Sequence, residues 1–447
     1  MTKRLQLLLV CACGGAMSVG AAAGPYLFGT AVLQGDSVGG VGLVTLIDNL
    51  AINNSGQWFV EVDTNGADTN TDGAMLSGTG AGNPFSLFLR EGQSLAAPTG
   101  ATLDSFDGVS INNAGNGGFN FFLDGTTGTN DDSGVFFNAS LVIQEGTVST
   151  AAGFSAGTPY IGWFETKIND SDQILMLSSV DDPNIPSTVD RALVIANTDG
   201  SGGLLSEKVI VKEGDSLAGQ LVVELGTGPH NFAFNNPGQA MFVADLDGAT
   251  TGDGVVAISD GNTTTIVAQE GTASGIQGRN WGSLSTSTVV AMNDSGDWAM
   301  RATLAGDTTS DTVIVSSAGL VAQEGSGNAA IGGFVFTSFG TGPVDIDGVG
   351  NVLYYGDWDD PNTDIDTGLF LNDMLLVQEG VTMIDGVIID TIASGQDSFS
   401  MSDNGRWIIF EGTLVGGVSG AFTIQIPAPG GAALLGLAGV AAIRRRR

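Results

Sequence analysis

The stretch Ile52-Asn53-Asn54-Ser55-Gly56-Gln57-Trp58-Phe59 decides the fold, because variants of it recur along the whole chain. Its further copies begin Ile111-Asn112-Asn113-Ala114-Gly115, Ile168-Asn169-Asp170-Ser171-Asp172, Phe234-Asn235-Asn236-Pro237-Gly238, Met292-Asn293-Asp294-Ser295-Gly296, Ile346-Asp347-Gly348-Val349-Gly350 and Met401-Ser402-Asp403-Asn404-Gly405. Counted from their second residues (53, 112, 169, 235, 293, 347, 402), the seven copies step by 59, 57, 66, 58, 54 and 55 residues. A period of this kind marks a repeat architecture. Asn at the head of the marker can bond the backbone two residues on, and Gly three further along supplies a left-handed conformation, so the marker is expected to shape a tight turn.

A second marker, a strand closing in x-Glu-Gly, follows each of the first six copies, at Glu91, Glu145, Glu213, Glu270, Glu324 and Glu379. The seventh copy has no such partner downstream, while Val32-Leu33-Gln34-Gly35-Asp36-Ser37 near the N-terminus matches Val211-Lys212-Glu213-Gly214-Asp215-Ser216. The two orphan halves complement each other. Within a unit, runs of five to eight β-favouring residues alternate with Gly, Asn and Asp: in the fourth, 231–234, 240–246, 254–259 and 264–269. These read as four short strands joined by hairpin turns. The expected fold is therefore all-β: a seven-bladed β-propeller with four antiparallel strands per blade, the last blade closed by the N-terminal strand. Closure removes the sheet edges that an open array would expose. A β-solenoid is the alternative, although its coils repeat over shorter periods.

The domain reading follows: residues 1–23 a signal peptide, 24–426 the repeat body, 427–447 a sorting segment. Lys3 and Arg4, an apolar run from Leu5 to Cys13 and the small residues Ala21-Ala22-Ala23 have the form of a secretory signal. The terminal segments hold six of the 14 basic residues, Lys3, Arg4 and Arg444 to Arg447, which leaves eight against 48 acidic residues, net -40, in the body. Such a surface repels nucleic acid and anionic lipid. Both cysteines, Cys11 and Cys13, fall in the signal, so the body has no thiol chemistry. The single histidine, His230, cannot build a multi-histidine zinc site and reads as structural.

The spacing Asn53-x-x-Gly56-x-x-Phe59, Asn235-x-x-Gly238 with Met241-Phe242, and Asn293-x-x-Gly296 with Ala299-Met300 resembles the bacterial secreted proteins with NxxGxxAF tandem repeats and a variable C-terminal anchor. The departures are Asp172 in place of Gly, and Asp347 and Ser402 in place of Asn. The C-terminal Ile426-Pro427-Ala428-Pro429, apolar Gly430 to Ile443 and Arg444 to Arg447 resembles a PEP-CTERM sorting signal, with Ala428 where the motif has Glu. That resemblance implies an exosortase-type sorting protease as partner, transient membrane contact, and export to the cell surface or an extracellular polysaccharide matrix. Fourteen apolar residues reach about 21 Å as a helix, short of a bilayer core of about 30 Å.

Two loops between the second and third strands are rich in short oxygen-bearing side chains. Asp63, Asn65, Asp68, Asn70 and Asp72 stand in one; Asp357, Asp359, Asn362 and Asp364 stand in the other. Asp and Asn at near-alternate positions can supply the oxygen cage that calcium takes, so calcium is the one cofactor expected; neither loop is an EF-hand. The repeated Glu residues are expected to accept backbone N–H groups, with a carboxylate ring at the channel mouth as the functional alternative. Gly153-Phe154-Ser155-Ala156-Gly157 spells a nucleophile elbow but lacks the strand-to-helix setting, so it reads as a loop. Trp58, Trp298 and Trp407 are expected to pack between blades. The functional expectation is a non-catalytic binding or structural module with an extracellular polysaccharide or surface protein as partner. The alternative is an extracellular carbohydrate-active enzyme, a glycosidase or lyase, using carboxylates.

Overall fold

Each marker turns the chain from the innermost strand of a sheet into the second, and it does so seven times. The computed structural model of the chain describes residues 26–82, 84–185 and 190–427; residues 1–23, expected as a signal peptide, and the expected sorting segment from Ala428 on lie outside the described residues. The repeat body is one unit, Leu27–Gln425. Its sheets, from the axis outward, are as follows. The first runs Gly42–Ile52, Gln57–Thr64, Gly73–Thr79, Ser86–Arg90, and the second Thr102–Ile111, Gly117–Asp124, Ser133–Phe137, Ser140–Gln144. The third runs Tyr160–Ile168, Gln173–Val180, Arg191–Thr198, Leu204–Lys212. In the fourth, sixth and seventh the inner strand is in two pieces, Gln220–Leu225 with Phe232–Phe234, Phe336–Ser338 with Val344–Ile346, and Val387–Ile392 with Phe399–Met401. The fifth has Val289–Met292, Trp298–Thr303, Thr312–Ser316 and Gly319–Gln323. The architecture is the expected seven-bladed β-propeller.

The seventh sheet closes as the split unit implied. Leu27–Leu33 pairs antiparallel with Val418–Gln425, Leu27 opposite Gln425 and Leu33 opposite Gly420, and becomes the outermost strand of a sheet begun at the other end of the chain. Ala31 and Val32 then share a buried cluster with Ile52, Trp58 and Val60 of the first sheet and Ile409 of the seventh. The other clusters likewise straddle neighbours: Leu175 and Leu193 of the third sheet pack with Phe232 and Phe242 of the fourth. A sheet face is apolar because another sheet covers it, so no blade has a core of its own. Trp407 lies against Gly56, where a Cβ would stand 2.6 Å from the indole, so it packs across the joint between the last and first blades.

The marker does more than shape a turn. Asn53 Oδ1 accepts from the amides of Ser55 and Gln57, as a turn residue should. Its Nδ2 donates to the carbonyl of Asn112, the head of the next marker, at 2.9 Å. Asn112 donates to Asn169, Asn169 to Asn235, Asn235 to Asn293 and Asn293 to Asp347. Asp347 has no side-chain N–H to give, and here the Gly348 amide donates to the Asp403 carbonyl instead. Asn404 closes the circle on Asn54 through its amide, 2.7 Å from Asn54 Oδ1. The heads of the markers form a girdle around one end of the channel. The departures from the motif are compensated: Asp347 Oδ2 accepts from Asn351, where Gln57 at the same offset in the first blade is an acceptor. Asp172 takes the left-handed place of Gly with φ 56° and accepts from Asn112 and Asn116 across the joint.

Candidate active site at the channel mouth

The inner strands run from an open mouth toward the girdle, and they are irregular at the mouth. The pairing of the first two strands slips between Ile47 and Leu50 in the first blade, between Phe106 and Val109 in the second, and between Trp163 and Glu165 in the third. Bulges of this kind re-aim side chains and end regular pairing. They place Asn49, Asp107, Phe164 and Glu165 around a cavity of about 490 Å³, which the breaks in the fourth and seventh inner strands complete with Asn231 and Asp397. Below it, Lys167, His230, Asp345, Asp397 and Asp403 line the channel itself.

Glu165 is the centre of this arrangement. It is 6% exposed, its Oε1 accepts from the Thr166 amide, and Lys167 Nζ stands 3.8 Å from the same oxygen. Gly108 of the second blade makes room for it: a Cβ there would lie 2.0 Å from Glu165 Oε1. Burial pushes the Glu165 carboxyl up to about 8, against the opposing pull of Lys167, with Asp397 and Asp107 adding to the rise. Behind it a network holds Asp107. Asn120 donates to Asp107 Oδ2 at 2.5 Å and accepts from the Gly108 amide. Asn49 donates both to the Asp107 carbonyl and to Glu61, whose carboxyl burial also raises to about 8.

Asp397 is driven the other way. It stands in the left-handed region at φ 58°, which Asp visits more readily than most residues. Its Oδ1 lies 3.0 Å from His230 Nε2. Burial alone would raise its pKa, but the His230 contact and the charges of His230 and Lys167 outweigh burial and hold it below the usual carboxylate range. Burial in turn lowers His230, against the pull of Asp397. One cavity thus holds a carboxyl that keeps its proton at neutral pH and a carboxylate that does not. Two titratable groups pushed apart in this way are suited to acid–base work on one substrate.

The residues singled out from sequence lie elsewhere. In the first acidic loop Asn65 Oδ1 accepts from the Leu43 amide and Asp68 Oδ1 from that of Asn70. In the second, Asp357 accepts from Thr337, Asp359 from the Val335 amide, and Asn362 from the Asp364 amide. These oxygens shape their own loops, and among the described residues no three His, Cys, Asp or Glu converge as a metal-ligand group. Asp63, Asn70, Asp72 and Asp364 belong to the same two loops, outside the mouth. The repeated Glu residues close the outer strands, away from the channel; some serve the backbone as expected, while Glu145 and Glu379 accept from the hydroxyls of Ser133 and Thr367. Glu91 accepts from the Gly73 amide at 2.7 Å and Glu213 from that of Arg191 at 2.7 Å. The ring of carboxylates at the mouth is built from other residues. Ser155 accepts from Asn184 and gives its amide to Asp182, in a loop rather than at a strand-to-helix turn. His230, read as structural, faces the channel. The signal that could have found the mouth is the interruption of an apolar strand just before the marker, at Asp48-Asn49 and Asp107-Gly108. Another is Lys167, two residues before Asn169, where Ala51, Ala233 and Ala291 stand in other copies.

Solved structures similar to this chain include a Trypanosoma rangeli sialidase, 12% identical over 77% of this chain and 56% of that one, with a TM-score of 0.33. A Fusarium graminearum α-L-arabinofuranosidase is 7% identical over 90% of this chain and 98% of that one, TM-score 0.34. A polysaccharide lyase is 11% identical over 59% of this chain and 56% of that one, TM-score 0.32. The chain spans little more than half the length of the sialidase and the lyase. No curated protein matches the sequence. The expectation of a module without catalysis is corrected by these neighbours: they are carbohydrate-active enzymes, so a ring of small sheets gives no ground for excluding catalysis. At this level of similarity they speak to the fold alone, not to the residues that act. The family model described as a family of unknown function, DUF7453, matches residues 22–254, more than half of the sequence, and the chain belongs to that family.

Proposed function

We propose that the protein is an exported carbohydrate-active enzyme that hydrolyses a glycosidic bond at the channel mouth. The carrying observation is the pairing of Glu165 and Asp397 around one open cavity, the first protonated and the second ionised at neutral pH. Hydrolysis of a glycoside needs a proton for the leaving oxygen and a carboxylate for the oxocarbenium-like centre or its attacking water. Glu165 is placed for the first role and Asp397 for the second, with His230 and Lys167 holding the Asp397 charge. Phe164 lines the same cavity and supplies an apolar surface beside the two carboxyls. Export rests on the secretory form of residues 1–23, and the matrix of the producing cell is the natural place to look for substrate.

The test is release of new reducing ends from a panel of polysaccharides, including the producing organism's own. Glu165→Gln and Asp397→Asn should each lower the rate by at least 100-fold with the fold retained. Activity should be high at pH 6 and fall as pH rises through about 8, where Glu165 loses its proton. Turnover unaffected by both substitutions would overturn the assignment.

A further inference from the structure

Away from the mouth, a groove of about 530 Å³ runs between the fourth and fifth sheets. Val267, on the outermost strand of the fourth sheet, Thr264–Gln269, forms one wall; the loop 273–281 and the outer part of the fifth sheet form the rest. Two indoles line it. Trp298 stands at the marker offset that Trp58 holds in the first blade. There Gly78 lies against the Trp58 ring, the indole N–H is donated to the Gly80 carbonyl at 3.1 Å, and the side chain is 1% exposed. In the fifth blade the third strand ends at Ser316, opposite Ala299, and the chain turns back within two residues, so it covers less of the ring. Trp298 is half-buried, and its N–H is donated to no described residue. Trp281 is 5% exposed, yet its N–H is donated to no described residue either; unlike that of Trp163 it is not sealed in the core, and it opens on the groove. A buried indole N–H ordinarily has a partner.

The rest of the groove is polar without charge. In a chain whose acidic residues outnumber its basic ones 48 to 14, no Asp, Glu, Lys or Arg lines it among the described residues. Ser274, Ser316 and Ser317 give their hydroxyl hydrogens to the carbonyls of Arg279 and Gly319 and to Asp297, and their oxygens keep the capacity to accept. Gln277 gives one amide N–H to Gln323 and keeps the other. Gly275 and Gly319 have nothing within 4 Å of where a Cβ would stand, so the groove is open at both. A uronate finds no cation here and an amine no carboxylate. Apolar ring faces set among N–H donors and hydroxyl acceptors suit a ligand that is apolar on its faces and hydroxylated around its edge, the chemistry of a pyranose with equatorial hydroxyls. The volume is that of a small-ligand site, about 300 to 1,000 Å³, whereas a protein partner would cover about 800 Å² of surface.

We propose that this groove is a second binding site, for a neutral glycan chain of equatorially hydroxylated hexoses. It shares no lining residue with the mouth, so it binds whether or not the mouth cleaves a glycosidic bond. The experiment is calorimetric titration of the full chain with cellohexaose and, as a charged chain of the same length, hexagalacturonate. Cellohexaose should bind at least tenfold more tightly. Trp281→Phe keeps an apolar ring and removes the N–H, and should weaken that binding by about fivefold, the worth of one net hydrogen bond. Ala318→Arg puts bulk on the exposed turn that lines the groove, and should abolish binding with an unchanged melting temperature. Asp397→Asn, at the mouth, should leave the affinity as it is. No binding of cellohexaose, equally tight binding of hexagalacturonate, or an affinity that ignores either groove substitution would overturn the proposal. Loss of binding in Asp397→Asn would overturn it as well, because the chain would then sit in the mouth.

Discussion

Replacing Glu165 by Gln should stabilise the protein while abolishing its activity, and the size of the gain can be worked out. In the unfolded chain the carboxyl titrates at its ordinary value of 4.5; in the fold burial raises it to about 8. Below pH 4.5 both states hold the proton and the residue contributes nothing to pH dependence. As pH rises past 4.5 the unfolded chain releases the proton first, so the native state loses stability relative to it until the folded carboxyl also ionises near 8. At about 1.4 kcal/mol per pKa unit, the loss at pH 7 is about 3 kcal/mol. Gln does not titrate, fills the same space beside Gly108 and, like the protonated carboxyl at pH 7, carries no charge toward Lys167, so the gain at pH 7 is about 3 kcal/mol. For a body of this length that is about 3 °C in melting temperature. The assay is thermal and urea unfolding of wild type and Glu165→Gln at pH 4.5, 6, 7 and 8. The difference should be near zero at pH 4.5 and grow with pH. A variant no more stable than wild type at pH 8, or a difference that does not change with pH, would refute the argument that this carboxyl is buried without compensation. The trade of stability for a protonated acid is what a working active site would carry.

Asn112→Asp should cost about 2 to 3 kcal/mol, because Asp keeps the turn acceptor but replaces two donations, to the Asn169 carbonyl and to Asp172, with repulsion. A melt equal to wild type would mean the marker serves its own hairpin alone. Removing residues 26–34 strips the seventh sheet of its outer strand and uncovers Ile409 and Trp58; the melting temperature should fall by more than about 10 °C, and an unchanged melt would deny the closure. Gly108→Ala should displace Glu165 without touching any charge, so kcat should fall while the neighbouring blades still fold; an active Gly108→Ala enzyme with an unchanged alkaline limb would show that Glu165 is not held by this gap.

The sequence by itself determined the number of blades, the four strands in each and the closure of the last sheet. These follow from local rules: Asn and Gly at fixed offsets, alternating β-favouring runs, and a unit cut in two by the chain ends. It also placed Glu91 and Glu213 on the backbone and Trp407 at a blade joint. Only the tertiary structure decided two things. The girdle joins Asn53 to Asn112 across 59 residues, and the mouth joins Asn49, Asp107, Glu165 and Asp397 from four blades. The girdle has no local signature and the mouth only the interruptions before the marker, because the side chains that meet come from different blades. The acidic loops drew attention because their carboxylates are adjacent in the chain, yet adjacency there reflects solvated turns. The two carboxyls of the mouth stand apart in sequence: Glu165 follows Trp163-Phe164 and packs against Gly108 of the neighbouring blade, and Asp397 follows Ser394-Gly395-Gln396. Burial, set by that neighbour, is what separates Glu165 from the exposed acidic residues of the loops.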